Sequence, residues 1–276
     1  MALIAVGQNL PANDWQSRAI ILQTKASSGT IEEKRDALFE IRNARSELAS
    51  RLALPALRDA NEIVRATAAA SVVFLPRDEA AAVVMPLLGD RAEFVRREAA
   101  YALGVVGSAQ AVNPLIELFR KEKVVEVRGA IAVALGQIGD RSALSSLINI
   151  LQRRPTEDDE FVRRSAARSI GQIAQIAQIG LRRVLTPQNF LPEKFKDLRA
   201  SDVEGFAESI AILTRVLTDR KEADDTRREA AFALGAINDE SSSAVLRSFT
   251  TSDDPYLAEI AKEAIAKISA SQYRKR

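Results

Sequence analysis

The sequence predicts an all-α, right-handed α-solenoid of about seven to eight helical pairs, on three observations. A phrase recurs: EVRGAIAVALGQIGD at Glu126–Asp140 has counterparts at Glu93–Ser108, Glu160–Ala174 and Asp225–Asp239. Aligned on the residue after the central aliphatic, the copies place Arg65, Arg96, Arg128, Arg163, Arg227 and Ala258 in one slot. The steps are 31, 32, 35, 64 and 31 residues, a period that marks stacked supersecondary units, with 64 equal to two of them. Second, Val127, Ala130, Ile131, Ala134, Leu135 and Ile138 fall at i, i+3, i+4, i+7, i+8 and i+11, one stripe of a helix. Third, apolar residues make up 47% but aromatics only 5%, so the core is built from Ala, Leu, Ile and Val, which favours close-packed helices over sheets.

The whole chain, 1–276, reads as one repeat domain. Residues 13–28, which hold the only Trp, Trp15, form a helix that caps the end of the core. Regular repeats fill 30–170. Their i+7 slot is always small (Ser71, Ala102, Ala134, Ser169, Ala233, Ala264), and their i+8 slot is always a large aliphatic. Asn61, Asp159 and Asp254 stand where N-caps belong, and Pro255 suits the first helical position. Gly107, Gly139 and Asn238 stand at the helix stop, where a left-handed residue is wanted. Gly104, Gly136, Gly171 and Gly235 lie three residues earlier, and their recurrence inside a helix predicts close approach of a neighbour. Second helices follow at Ala111–Lys123 and Ala143–Arg154.

The pattern becomes irregular over 171–220. Ala174 replaces the stop glycine, and QIAQIAQIGLRRVL continues the helix. Two resolutions of the 64-residue step stay open: one pair with a long insertion, TPQNFLPEKFKDLRASDVEG, or a degenerate extra pair. Glu208–Asp219 reads as a second helix in either case. Residues 221–270 resume the repeat and end in a capping helix from Pro255 to Ser269, and 271–276 reads as a frayed tail.

The EVRxxAxxALGxIGD pattern and its copies resemble the HEAT-repeat family, in particular the short repeats first named for phycobilin (bilin) lyase subunits, over roughly residues 30–270. The resemblance implies an armadillo/HEAT-like superhelix whose work is to build surfaces for partners. Bilin lyase subunits act as paired solenoids that hold a tetrapyrrole and pass it to a cysteine of a phycobiliprotein. Pairing with a second solenoid subunit is therefore one implied arrangement. Another HEAT-like family, deoxyhypusine hydroxylase, uses His–Glu iron ligands; with no His in this chain, that activity is not carried over.

Composition narrows function further. Zero Cys removes thiolate catalysis and zinc–sulfur sites, and zero His removes the usual base near neutral pH. The carboxylate pairs Asp158–Asp159 and Asp224–Asp225 lie at helix starts, where acids favour the dipole. No catalytic residue, cofactor or metal is therefore expected. A net charge of +2 gives no global pull toward nucleic acid or membrane. No apolar stretch is long enough to span a bilayer and the N-terminus lacks a secretory pattern, so a cytoplasmic location is expected.

The expected function is a non-catalytic scaffold or adaptor that binds another protein on a concave face lined by the second helices. The candidate contact residues are Met85, then Asn113, Glu117 and Arg120, then Ser146, Asn149 and Arg153, with Phe190 and Phe195 projecting from the insertion. A bilin lyase subunit is the alternative. Nucleic-acid binding by the ladder of slot arginines comes third, because Glu93, Glu126 and Glu160 stand ready to occupy those arginines in ion pairs between repeats.

Overall fold

A computed structural model describes residues 12–183 and 206–273, with side chains for 15–178 and 206–270. Among the described residues there are fourteen α-helices and no strand. They are shared out as one leading helix, six successive pairs and one closing helix. They group into two compact units, Met1–Leu118 and Phe119–Arg276.

The first unit holds α1 (Ala12–Ser28), α2 (Ile31–Asn43), α3 (Glu47–Leu52), α4 (Glu62–Ser71), α5 (Arg77–Val84), α6 (Glu93–Val106) and most of α7 (Val112–Lys121). Three of these helices begin on a side-chain cap, α3 on Ser46. Thr30 and Glu33 form a reciprocal capping box on α2, and Asn61 Oδ1 accepts from the Ile63 and Val64 amides of α4. First helices pack on first helices, α2 on α4 and α4 on α6. The small slot makes this possible. Ser71 is fully buried and its hydroxyl donates to the Leu38 carbonyl of α2 at 2.9 Å. Trp15 on α1 is half-buried.

Arg65 shows what the slot arginine does. It donates to both carboxylate oxygens of Asp90, at 2.7 and 2.9 Å, and to the carbonyls of Asp59 and Ala60. One side chain thus ties α4 to the residues that lead into α6. The bidentate guanidinium holds Asp90 below its usual carboxylate range, against the opposing push of burial. A group with a depressed folded pKa stabilises above its unfolded value and loses that contribution as pH falls through the folded one. Asp90→Asn is therefore expected to flatten the acid limb of stability below about pH 4, leaving the slope near neutrality unchanged. Urea melts of both proteins across that range check this, and parallel acid limbs would remove Asp90 from the account.

The second unit holds α8 (Val125–Ile138), α9 (Leu144–Gln152), α10 (Glu160–Arg183), α11 (Phe206–Thr218), α12 (Asp224–Ile237), α13 (Ser242–Arg247) and α14 (Pro255–Tyr273). Gly139 and Asn238 adopt φ of 80° and 63° and stop α8 and α12, where any other residue would be strained. With Ala174 in that slot, α10 runs on for 24 residues. It packs extensively against both α8 and α12, so no further first helix separates these three. Among the described residues, the helices that fall within the 64-residue step are α10 and α11. Helix α11 is tied back by Arg215, which donates to the Leu151 carbonyl of α9 at 2.5 Å.

The interior glycines Gly136, Gly171 and Gly235 meet their neighbours as expected. A Cβ on Gly136 would lie 2.3 Å from Ser169 Oγ, and one on Gly235 would lie 2.5 Å from Ala264 Cβ. Two local expectations need correction. Asp159 is not a helix cap: it closes a 3-10 turn, and its Oδ1 accepts from Arg128 at 3.0 Å. The end of the chain is not wholly frayed, because α14 continues past Ser269 to Tyr273.

Candidate interaction groove

The described surface of the second unit carries a trough of about 510 Å³ on the outward faces of the first helices. Its geometry follows from helical spacing. On α10, Phe161, Arg164, Ser165 and Arg168 sit at i, i+3, i+4 and i+7 and share one face. On α12 the same register presents Asp225, Arg228 and Glu229, and on α14 it presents Tyr256 and Ile260. Val133 of α8 closes the near side. Gly129 makes room there, since a Cβ on it would fall 2.0 Å from the Phe161 ring. The ring therefore lies down over α8.

The charges in the trough are interlocked. Arg164 donates to Asp225 at 2.9 Å, Arg168 pairs with Glu229 at 2.6 Å, and Arg228 bridges Asp225 and Asp254 at 2.7 and 2.8 Å. Asp225 is held below its usual range first by Arg164 and then by Arg228, while Arg228 holds Asp254 down and is itself raised by it. The arginines also stack on the aromatics: Arg228 lies 5.0 Å from the Tyr256 ring centre and Arg164 lies 5.7 Å from that of Phe161. Tyr256 is nonetheless 69% exposed. Past Phe161 and Arg164 the surface continues into a second depression of about 480 Å³, bounded by Val125, Glu126, Glu157, Asp158 and Glu160.

The sequence-predicted contact residues lie elsewhere. Asn113, Glu117 and Arg120 are exposed on α7, Asn149 on α9, and Arg153 just beyond it. Met85 is half-buried where α5 passes into a 3-10 turn. Ser146 is corrected: it is only 5% exposed. Helix α9 packs against both α10 and α11, and that cover widens its buried arc to include Ser146 and Ile150. Phe190 and Phe195 lie outside the described residues.

The slot arginines are structural wherever they are described. Arg163 is 1% exposed and reaches Glu222 and three carbonyls of the α9 end; Arg227 reaches the Leu217 carbonyl and Asp224. Arg65, Arg128 and Arg163 are received by Asp90, Asp159 and Glu222, each standing ahead of the next first helix, and Arg227 by Asp224 of its own helix, rather than by Glu93, Glu126 or Glu160. Nothing of a phosphate-tracking ladder remains in these side chains. Among the described residues no His/Cys/Asp/Glu group is placed to hold a metal ion, and no helix is long and apolar enough to cross a membrane.

Sequence reasoning missed the trough, yet a signal existed. Two residues before the slot the copies read Ile63, Phe94, Glu126, Phe161, Asp225 and Tyr256, and one residue after it Ala66, Arg97, Gly129, Arg164, Arg228 and Glu259. These positions change chemistry from copy to copy while their neighbours in the stripe do not.

Residues 50–135 match the model for HEAT repeats, and 127–153 and 226–250 match that for the PBS lyase HEAT-like repeat. These stretches are HEAT repeats, in the second unit of the PBS lyase type. The all-helical α-solenoid fold class is shared with solved structures. One is an engineered protein, 19% identical with a TM-score of 0.55, the match covering 93% of this chain and 69% of that one. Another is the complex of CpcE and CpcF of phycocyanin lyase from Nostoc sp. PCC7120, 17% identical with a TM-score of 0.51, covering 100% and 98%. No curated protein matches the chain.

Proposed function

We propose that this HEAT-repeat chain is a non-catalytic scaffold that holds a partner protein in the trough along α8, α10, α12 and α14. The observation that carries this reading is Tyr256, exposed within a trough of Phe161, Ile260 and stacked arginines. An aromatic and aliphatic floor with a polar rim is the anatomy of a protein interface, where Tyr and Arg supply most hot spots. Interlocked ion pairs hold those side chains in place before a partner arrives, which lowers the ordering cost of binding.

A bilin-handling role is the second reading. It is favoured by the PBS lyase-type match at residues 127–153 and 226–250, which supply α8 and α12 of the trough walls, and by the likeness to a two-subunit phycocyanin lyase complex. On that reading the partner is a second solenoid and the cargo a tetrapyrrole.

A photo-crosslinking phenylalanine analogue at position 256, and separately at position 149 on α9, separates these readings in the native host. The scaffold reading expects a discrete protein adduct from position 256. An adduct from position 149 alone would place the partner on the second helices and overturn the trough. A coloured product absorbing above about 550 nm would move the bilin reading to first place. A nucleic-acid adduct would overturn both.

A further inference from the structure

The trough and the depression that adjoins it differ in charge balance, and the difference specifies a partner. The three trough arginines, Arg164, Arg168 and Arg228, are each paired with a carboxylate. The adjoining depression adds Glu126, Glu157, Asp158 and Glu160, all exposed, and none makes an ion pair among the described residues. The joined surface thus sets three cations against six carboxylates, although the whole chain carries +2. Phe161 and Arg164 line both parts, so the paired end and the acidic end adjoin at one aromatic ring.

Helix-dipole stabilisation accounts for Glu126 and Glu160, which lie in the first turns of α8 and α10. Asp158, expected at a helix start, lies with Glu157 in the 3-10 turn ahead of α10, neither of them within the first turn of that helix. Like charges gathered in one recess repel one another, and a cationic occupant relieves that repulsion.

We propose that the joined trough binds a basic peptide segment of a partner protein, with Arg or Lys side chains in the acidic depression and an aromatic or aliphatic side chain on the Phe161–Tyr256 floor. The proposal rests on the scaffold reading and adds the chemistry of the bound segment. Recognition is by charge at one end and by apolar contact at the other, so affinity depends on both ends at once. An acidic segment meets repulsion at the depression and finds no free arginine in the trough.

The test uses the full chain and two fluorescein-labelled twelve-residue peptides, one alternating Arg and Lys with Leu and Phe, the other with Glu and Asp in place of the basic residues. Fluorescence anisotropy at 0.15 M salt is expected to show binding of the basic peptide only. Glu157→Gln combined with Asp158→Asn is expected to weaken it about tenfold, and Tyr256→Ala by a similar factor. Glu32→Gln on α2 should leave it unchanged. Circular dichroism of each variant confirms the fold, and a variant that melts early is replaced by Ile260→Ser. Equal binding of the two peptides, or of the basic peptide to wild type and the double variant, overturns the proposal. So does a natural partner that crosslinks at position 256 through an acidic segment, an outcome that leaves the scaffold reading standing. Absence of any protein adduct at position 256 defeats the scaffold reading itself.

Discussion

Arg163→Ala is expected to cost about 3–5 kcal/mol, the range for removing one partner of a buried ion pair. The Arg163 and Glu222 side chains are 2% and 3% exposed. The Arg163 guanidinium donates to the Ile150, Arg153 and Leu151 carbonyls at 2.8, 2.9 and 3.2 Å and through Nε to Glu222 at 3.0 Å. Those carbonyls belong to the end of α9, which leaves its last acceptors without intrahelical donors. Deleting the guanidinium strands the Arg153 carbonyl and a buried carboxylate together, while the Ile150 carbonyl keeps the Arg153 amide and the Leu151 carbonyl keeps Arg215. Urea denaturation measures the loss. Glu222→Gln should be milder, because a neutral amide still accepts from Arg163, and Arg163→Met with Glu222→Leu should recover much of the deficit. A loss below about 1 kcal/mol in Arg163→Ala would mean that water reaches Glu222 and that the pair behaves as a surface one.

Gly235→Val is expected to destabilise by about 3 kcal/mol, the upper end for overpacking. A Cβ at Gly235 meets Ala264 Cβ at 2.5 Å and Ala264 Cα at 2.8 Å. The second contact is to backbone, so relief requires α14 to move away from α12. Valine adds two more methyl groups and brings little helix propensity in return. Ala264→Gly in the Gly235→Val background should restore part of the loss, since it removes the nearest opposing atom. Thermal melts of the single and double variants decide the matter. Additive losses would show that the α12–α14 spacing is set elsewhere.

How far the sequence could be read depended on whether a residue faces its own repeat or the next one. Ser71, Ala102, Ala134, Ser169, Ala233 and Ala264 were legible because the slot is filled by the same need in every copy, and all six are buried. The glycine contacts were legible for the same reason. The acid partner of each slot arginine was not. Asp90, Asp159 and Glu222 lie 25, 31 and 59 residues from Arg65, Arg128 and Arg163, and only the stacking of units brings them together. Ser146 was misplaced because its helix is covered on two sides, and the binary pattern of a nine-residue helix does not reveal the second. The trough escaped for a further reason: its residues vary between copies, and a search for repetition passes over what varies.

The interval between Arg163 and Glu222 has a consequence for how this protein tolerates change. Helix α10 is fixed by α8 and α12, α11 by α9 and α12, and the ion pair fastens the start of one to the residues after the other. Both helices are thus anchored by their neighbours without reference to the chain that joins them. A domain, a tag or a sensor spliced in between residues 183 and 206 is therefore expected to leave both anchors intact.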